Sequence, residues 1–377
     1  MKALVLEDVG KFALRELAKP APKPGEVLIR VLAVGVCGTD LHIFHGFANY
    51  NRDERGRPIA LKKQSQILGH EFCGQVEAVG SAVRRCKPGD RVVVDQVLTC
   101  MSQGHSPVCE YCETGDSHQC EFGREYGITG VPGAFAEYVS VPETNVVVLP
   151  PDMSSVQGAL IEPLGCVLHA CDRMARARNR YTFDGVHRIR RILILGAGSA
   201  GLLFLQCLRN ITRFDGDIFV ADMQDDKLAL AKKLGATPLD VRTFDLISEI
   251  TTRGERAEYL VEATGSGKVF DWIPSVIRRQ ATVLFYGAGH SGRDIGCLTP
   301  FQAWEINLVT SGGASGGFDP DGTPTTYRQA MEYIHRGKVD VACLVSHRYP
   351  ALAQLPRAFV GDFRLNNFIK GALVVDE

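Results

Sequence analysis

Short apolar runs separated by turn residues dominate the first third of the chain. Residues 27–36 are mostly aliphatic and follow the breaker sequence Pro-Lys-Pro-Gly-Glu, and residues 87–94 pass from a Pro-Gly turn into three consecutive valines. Residues 134–141 and 145–150 repeat this pattern. Runs of β-branched residues bounded by proline and glycine are typical of strands. The pattern therefore predicts a mainly β region up to Pro150.

The middle of the chain alternates between two hydrophobic periods. Short apolar runs, which predict strands, are separated by stretches with helical spacing. The predicted strands are 191–198, 217–222, 257–265, 281–289 and 306–313, and the predicted helices are 156–177, 199–210, 225–236 and 325–337. Strands that alternate with helices predict a parallel sheet covered by helices on both faces.

The charge balance and the cysteines narrow the class of protein. The 377 residues carry 42 Lys+Arg against 43 Asp+Glu, so we expect no nucleic-acid partner. The longest apolar run, 192–208, contains three glycines and is too short for a confident membrane span. The N-terminus has no apolar segment typical of a signal peptide. We therefore expect a cytoplasmic protein without a membrane partner, in which the clustered members of the twelve cysteines serve metal binding rather than disulfides.

A glycine-rich motif follows the first strand of the alternating region. Gly196, Gly198 and Gly201 form G-x-G-x-x-G between that strand and a helix, the context that a dinucleotide site requires. The glycines allow a tight turn, a close approach of the backbone to a pyrophosphate, and close packing of helix on strand. Asp222 ends the next strand, where a carboxylate accepts hydrogen bonds from a ribose 2′-hydroxyl and repels a 2′-phosphate. Because Met223 follows and no arginine is adjacent, the motif predicts NAD rather than NADP.

Metal-binding residue types occur at three further places. Cys37, the pair His70 and Glu71, and Glu162 offer a thiolate, an imidazole and carboxylates, which together suit Zn²⁺. Their spacing alone does not assemble a site, because a buried cysteine or a hydrogen-bonded histidine would have the same appearance in the sequence.

A separate group of cysteines has the spacing C-x8-C-x2-C-x7-C. Cys100, Cys109, Cys112 and Cys120 lie in a stretch rich in Gly, Pro, Ser and Asp, which favours a closed tetrahedral structural zinc site. His105 lies in the long first gap and is an alternative to Cys100.

Together these motifs resemble the zinc-dependent medium-chain dehydrogenases/reductases, the superfamily of alcohol and polyol dehydrogenases. The zinc signature G-H-E-x2-G-x5-G-x2-V is present as Gly69-His70-Glu71, Gly74, Gly80 and Val83. Further similar segments, in the family's order, are 37–42, 87–94, 133–139, 161–164 and 261–265.

The resemblance implies an α/β fold. A Rossmann domain, which is a doubly wound parallel sheet, is expected to be inserted into a GroES-like, mainly β catalytic domain. The expected division is 1–161 for the catalytic domain with its zinc sites, 162–314 for the NAD-binding domain and 315–377 for the return to the catalytic domain. The family usually forms dimers or tetramers, so we expect a homodimer or homotetramer.

The resemblance also implies a set of metal ligands. Cys37, His70 and Glu162 match the positions that bind the catalytic zinc, and Glu71 matches a glutamate that can bind or exchange at that metal. Cys166, about one helical turn beyond Glu162, is a competing ligand. The four clustered cysteines match the structural zinc lobe, although the family usually has two residues in the first gap.

Three other residues receive roles from the resemblance. Thr39 matches the group that accepts the substrate proton, and His42 matches the outer end of a relay to solvent. Lys227 matches a position that often contacts the adenosine ribose, although a solvated helix lysine would fit this position nearly as well.

The predicted activity is zinc-dependent hydride transfer between a secondary alcohol and NAD. The sequence Glu162-Pro163-Leu164 is similar to the sorbitol, threonine, glucose and scyllo-inosose dehydrogenase branch, which favours a polyol, sugar or cyclitol as the small-molecule substrate. A threonine-type or other secondary alcohol is one alternative, and a non-catalytic NAD-binding relative is another. The segment 47–66 is longer than usual in the family and rich in Arg and Lys. It is either a solvated surface loop or a part of the pocket that holds an anionic or highly hydroxylated substrate.

Overall fold

The computed structural model describes residues 1–243, 245, 247, 248, 250, 256–288, 290 and 295–375. In chain order, the strands are β1 (Lys2–Asp8), β2 (Lys11–Glu16), β3 (Glu26–Gly35), β4 (Gln66–Ile67), β5 (Glu71–Val79), β6 (Arg91–Val94), β7 (Val97–Leu98), β8 (Arg124–Glu125), β9 (Tyr138–Pro142), β10 (Val146–Val148), β11 (Arg191–Leu195), β12 (Asp217–Asp222), β13 (Thr237–Asp240), β14 (Ala257–Glu262), β15 (Ile277–Phe285), β16 (Asn307–Thr310), β17 (Val345–Tyr349) and β18 (Lys370–Val374).

Most of the helices are short, and several consist of a single turn. The α-helices are Gly38–Phe44, Cys100–Gln103, Glu110–Glu113, Ser155–Ala159, Ile161–Arg176, Ser199–Gln206, Asp225–Lys233, Ile273–Val276, Thr299–Ala303, Thr325–His335 and Pro356–Val360. A π-helical stretch, Cys207–Ile211, continues Ser199–Gln206. Within the described part of the chain, no helix is both long and apolar enough to span a membrane.

The chain divides into two compact units. The first contains Met1–Gly165, Gly313–Gly337 and Val341–Glu377, and the second contains Cys166–Gly312 and Lys338–Asp340. The last part of the chain therefore returns to the first unit, apart from a short stretch in the second.

The first unit is mainly β. Its largest sheet has the strand order β10-β6-β5-β3-β18-β17, and β9 pairs with β3 as well. Strand β3 is buried along almost its whole length, as expected for a strand with neighbours on both sides. The core on this sheet is rich in aromatic residues, among which Phe72, Phe135 and Phe359 are fully buried.

The second unit is built on a parallel sheet. Its strand order is β13-β12-β11-β14-β15-β16, and every adjacent pair is parallel. This is the order of a doubly wound Rossmann sheet, in which dinucleotides bind beyond the carboxyl ends of the strands. The predicted fold class, a doubly wound parallel sheet joined to a mainly β unit, is confirmed.

One predicted helix is divided. The spacing predicts one helix over 156–177, but the structure has Ser155–Ala159 followed by Ile161–Arg176. Pro163 explains the new start, because a residue without an N–H is tolerated only in the first turn of a helix. Glu162 is thereby placed in that first turn.

Candidate metal and coenzyme sites

Asp40 fixes the relative positions of two candidate metal ligands. Cys37 occupies the N-cap position of helix Gly38–Phe44, and the Asp40 carboxylate accepts a hydrogen bond from the Cys37 N–H at 2.9 Å. The same carboxylate accepts from the Gly69 N–H at 3.2 Å and lies 3.5 Å from Nδ1 of His70. Asp40 is completely buried. It therefore ties the helix start that carries Cys37 to the segment that carries His70.

Cys37, His70 and Glu71 form a group of three possible metal donors. One donor atom from each lies within 4.8 Å of the other two, and His70 and Glu71 are buried. Burial alone would lower the pKa of His70, but the negative charges of Asp40 and Cys37 outweigh it and raise this pKa well above its usual value. A place that attracts positive charge, lined by sulfur, nitrogen and oxygen, fits Zn²⁺. Nδ1 of His70 faces Asp40 at 3.5 Å but has no hydrogen-bond partner among the described residues.

Glu71 has a second partner that sequence reasoning missed. Glu71 begins β5 and Lys370 begins β18, and the two side chains meet across the intervening strand β3, with Nζ 2.6 Å from Oε1. Both are buried, and Oε2 of Glu71 has no hydrogen-bond partner among the described residues. A Cβ at Gly35 would lie 2.0 Å from this Oε2, so the glycine makes room for the ion pair. The available signal was a lone lysine in the apolar run 369–375.

Glu162 and Cys166 lie outside this group of three among the described residues. The Glu162 side chain is buried, and its Oε1 accepts a hydrogen bond from Nε2 of Gln96 at 3.0 Å. Burial opposes protonation of Lys370, but the nearby charges of Glu71, Cys37 and Glu162 raise its pKa. The assignment of Glu162 or Cys166 as a zinc ligand stays a prediction.

Thr39 and His42 both lie on the helix Gly38–Phe44, directly after Cys37. Both side chains are partly exposed. Burial, and to a smaller extent the charge of His45, lowers the pKa of His42. The imidazole is therefore neutral near pH 7 and able to accept a proton.

The four clustered cysteines converge on one point. The Sγ atoms of Cys100, Cys109, Cys112 and Cys120 all lie within 4.8 Å of one another. The separations are 3.6 Å for Cys100–Cys120 and 3.9 Å for Cys109–Cys120. These are too long for a disulfide, but they match the ~3.8 Å between sulfurs around a tetrahedral zinc with Zn–S bonds of about 2.3 Å.

Hydrogen-bond donors around Cys109 favour its thiolate form. Burial raises the pKa of this thiol, but the N–H groups of Cys112 and Glu121 and neighbouring thiols outweigh it and lower the pKa to about 6. The alternative donor His105 instead stacks on Phe122, with ring centroids 4.6 Å apart. The geometry thus brings Cys100, and not His105, to the other three cysteines.

In the second unit, the three motif glycines have different surroundings. Gly196 has φ +99°, a conformation that other residues rarely adopt. A Cβ at Gly201 would lie 1.9 Å from the Gly196 carbonyl oxygen, whereas a Cβ at Gly198 would meet nothing within 4 Å. Gly198 is the N-cap of helix Ser199–Gln206, and its open side leaves space for a pyrophosphate at the helix N-terminus.

Asp222 stands where a ribose-binding carboxylate is expected. It ends β12, and Oδ2 accepts a hydrogen bond from the Ala197 N–H of the glycine loop at 2.7 Å. Its Oδ1 accepts from the Met223 and Gln224 N–H groups at 2.7 and 3.0 Å. Lys227 lies on the following helix, partly exposed.

Comparison with known proteins identifies the family. The profile of the alcohol dehydrogenase GroES-like domain matches residues 23–151, and that of the glucose dehydrogenase C-terminus matches 155–288. Erythritol/L-threitol dehydrogenase of Mycolicibacterium smegmatis is 31% identical over 93% of this chain and 91% of its own. The chain belongs to the zinc-dependent medium-chain dehydrogenase/reductase family. Sorbitol dehydrogenase of Bacillus subtilis is also 31% identical to this dehydrogenase, over 93% of this chain and 90% of its own.

A solved structure agrees with this assignment. A candidate zinc-binding dehydrogenase of Sinorhizobium meliloti bound to NADP has a TM-score of 0.78 and 27% identity, covering 99% of this chain and 98% of its own. The predictions of a GroES-like domain with a Rossmann domain, and of an oxidoreductase that acts on alcohols with zinc and a nicotinamide coenzyme, are confirmed.

In this dehydrogenase, the segment 47–66 is held by contacts within the segment and with the residue Gly130. Asp53 and Arg57 form an ion pair of 2.8 Å, and the buried Asn51 packs against Gly130. The basic residues of the segment are all exposed: Arg52, Arg55, Arg57, Lys62 and Lys63. This arrangement favours a surface loop over a pocket wall that binds an anionic substrate.

The motif glycines supply a paired test. We expect Gly201→Ala to destabilise the protein by about 1–3 kcal/mol, because the added Cβ meets backbone that cannot move aside. Gly198→Ala should cost less than about 1 kcal/mol yet weaken NAD binding, since it only fills the open side of the loop. Urea unfolding and NAD titration by fluorescence measure the two effects. Equal destabilisation by both substitutions would contradict the prediction.

The Lys370–Glu71 pair supplies a second test. In chelator-treated protein, Lys370→Met should lower the free energy of unfolding by about 3–5 kcal/mol, because it leaves a buried carboxylate without its counter-charge. Adding Glu71→Gln to that variant should restore most of the loss, since the carboxylate that lost its counter-charge is then neutral. The measurement is urea unfolding of both single variants and the double variant. A loss below about 1 kcal/mol in Lys370→Met would show that the pair is not closed in solution.

Proposed function

We propose that this dehydrogenase oxidises a secondary hydroxyl group of a polyol, sugar or cyclitol with NAD. The observation that carries the proposal is the buried meeting of Cys37, His70 and Glu71 donor atoms within 4.8 Å. A non-catalytic relative would have no need to keep these costly groups together in its interior. The polyol class is supported by the two relatives named above, whose substrates are polyols, and a threonine-type substrate stays the alternative prediction.

In the proposed reaction the chain positions the alcohol and moves its proton. Cys37 and His70 hold the catalytic zinc with Glu71 or Glu162, and the four cysteines hold the structural zinc. When bound, zinc supplies Lewis acidity that lowers the pKa of the alcohol, and NAD supplies the hydride acceptor. Thr39 Oγ1 accepts the hydroxyl proton as its own proton passes towards His42. The His42 imidazole, kept neutral by burial, takes up this proton and releases it to solvent.

The proposal assigns the coenzyme to the second unit. Gly196, Gly198 and Gly201 receive the pyrophosphate, Asp222 the adenosine ribose, and Lys227 the outer edge of that ribose. Three backbone N–H groups hold the Asp222 carboxylate in place. A fixed negative charge repels the 2′-phosphate of NADP, which supports NAD.

We also propose how the chain is divided between metal and coenzyme, and in which compartment and oligomer the enzyme works. Residues 1–161 and 315–377 are assigned to metal chemistry and 162–314 to coenzyme binding. The positions of Cys37, His70 and Glu71 support the first assignment, and the glycine motif with Asp222 supports the second. Glu162 lies at the boundary of the two ranges. The cytoplasmic setting stays a prediction. The homodimer or homotetramer stays a prediction.

The activity is tested by coenzyme reduction with metal analysis. The purified enzyme should contain about two zinc ions per chain and reduce NAD with a substrate among erythritol, sorbitol, xylitol, myo-inositol and glucose. Threonine and simple alcohols complete the panel. Cys37→Ala should lose one zinc and all turnover, because a thiolate ligand is removed. Cys109→Ala should lose the other zinc.

Cys166→Ala discriminates between the alternative ligands. It should retain both ions, since we assign the remaining ligand position to Glu71 or Glu162 rather than to Cys166. Loss of one ion from this variant would make Cys166 a ligand. A zinc-loaded enzyme that turns over threonine but no polyol would overturn the proposed substrate class.

Coenzyme choice is tested at Asp222. Asp222→Asn retains an acceptor for the backbone N–H groups but removes the charge. We expect the ratio of kcat/KM for NAD to that for NADP to fall by roughly 10- to 150-fold, the equivalent of about 1.5–3 kcal/mol for a hydrogen bond to a charged group. An unchanged ratio, or a wild-type preference for NADP, would contradict the assignment.

A further inference from the structure

A buried carboxylate stands at the carboxyl end of β14, in the second unit. Glu262 ends this strand and is completely buried. Its Oε1 accepts hydrogen bonds from the Thr264 N–H at 2.7 Å and the Gly265 N–H at 3.1 Å, and also from the Thr264 hydroxyl. Its Oε2 lies 2.7 Å from Nε2 of His290, a residue that follows β15. One side chain therefore joins the loop after β14 to the segment after β15.

The two joined segments also meet through their backbones. The Glu262 carbonyl oxygen accepts hydrogen bonds from the N–H groups of Tyr286 and Gly287, both at 2.9 Å. A Cβ at Gly287 would lie 2.3 Å from the Gly265 nitrogen and 2.6 Å from Oε2 of Glu262. A Cβ at Gly265, where φ is +69°, would lie 2.2 Å from the Ala288 carbonyl oxygen. The two glycines thus allow the backbones to approach closely around the carboxylate.

The strand order places this carboxylate beside the coenzyme crevice. Strand β11, which leads into the glycine loop, lies between β12 on one side and β14, followed by β15, on the other. A dinucleotide binds across such a reversal of strand order, beyond the carboxyl ends of the strands. Because Asp222 ends β12 on the adenosine side, the nicotinamide half is expected on the side of β14 and β15. A Cβ at Gly196 would lie only 3.1 Å from Cγ2 of Thr264, so the glycine loop and the loop after β14 are neighbours.

His290 holds the segment after β15 to the carboxylate. Its side chain is only 22% exposed, and its ring packs edge-on against Phe270 with centroids 5.1 Å apart. In the described part of the chain, its Nε2 is the one hydrogen-bond partner of Oε2 of Glu262. A buried carboxylate oxygen without a partner is costly, so the contact favours a single position of His290. The contact therefore fixes the segment after β15 relative to β14.

We propose that Glu262 and His290 are positioning residues for the nicotinamide half of the coenzyme. Glu262 orders the loop after β14, and His290 ties the segment after β15 to it. This inference rests on the proposed use of a nicotinamide coenzyme. A binding surface that is already ordered avoids part of the entropy cost of binding, and hydride transfer needs the reacting ring to be placed precisely.

The test compares two ligands that differ only in the nicotinamide. The dissociation constants of NADH and of ADP-ribose, which lacks that ring, are measured by calorimetry on the zinc-loaded enzyme. His290→Leu should weaken NADH binding by at least about 5-fold, the equivalent of about 1 kcal/mol for a buried acceptor left without its partner. ADP-ribose binding should change by less than about 2-fold, because the adenosine side is untouched.

Two further variants serve as controls. His290→Gln places an amide nitrogen close to the position of Nε2 and should restore most of the NADH affinity. His187→Leu is the same substitution at an exposed histidine of the second unit, before β11, and should match wild type. Equal weakening of NADH and ADP-ribose by His290→Leu would indicate general damage to the unit and overturn the inference, as would wild-type affinity for NADH.

A double variant tests whether the two residues act as a pair. Glu262→Gln should also weaken NADH binding more than ADP-ribose binding. Its combination with His290→Leu should lose less than the product of the two single losses, because both substitutions break the same contact. Fully multiplicative losses would overturn the pairing while leaving the proposed coenzyme intact. Wild-type protein that binds neither NADH nor ADP-ribose, with or without a 2′-phosphate on either, would overturn the coenzyme proposal and this inference together.

Discussion

The cost of burying negative charge governs the first unit. Asp40, Glu71 and Glu162 are all buried, and each meets a different type of donor: two backbone N–H groups, the Lys370 ammonium and the Gln96 amide. Without these partners each carboxylate would be expensive to bury. Local features of the fold follow from this need. A glycine stands at position 35 so that Glu71 and Lys370 can meet, and a tyrosine hydroxyl is kept in the core to hold the amide.

The returning segment supplies partners that the beginning of the chain lacks. Lys370 is 299 residues from Glu71, and Tyr327 is 231 residues from Gln96. Both pairs join the N-terminal part of the first unit to residues that follow the Rossmann sheet. The strand β18 and the helix Thr325–His335 are therefore parts of the sheet and its covering layer, and they also supply polar partners in the interior. Without these two elements, the N-terminal part would bury Glu71 without Lys370, and it would bury Gln96, which contacts Glu162, without Tyr327.

The sequence predicts the fold class and the coenzyme motif because both are local. The spacing of the apolar residues predicts the strands and helices, and the glycine motif with Asp222 lies within one β-α-β unit. The catalytic donors were identified only through the family resemblance, since Cys37 and Glu162 are far apart in sequence. Lys370 and Gln96 were not identified at all. The contact of Lys370 with Glu71 depends on which strands are neighbours and on the glycine at position 35, and no periodic pattern encodes that register. The contact of Gln96 with Glu162 depends on where the helix Ile161–Arg176 begins.

The charged partner of Glu71 bears on metal binding at the group of three donors. An ammonium 2.6 Å from Glu71 satisfies much of that carboxylate's charge, so a cation that binds Glu71 must compete with Lys370. The ion pair thus stabilises this buried carboxylate when no metal is present. A divalent ion that binds Glu71 gains only the part of the attraction that exceeds the attraction to Lys370.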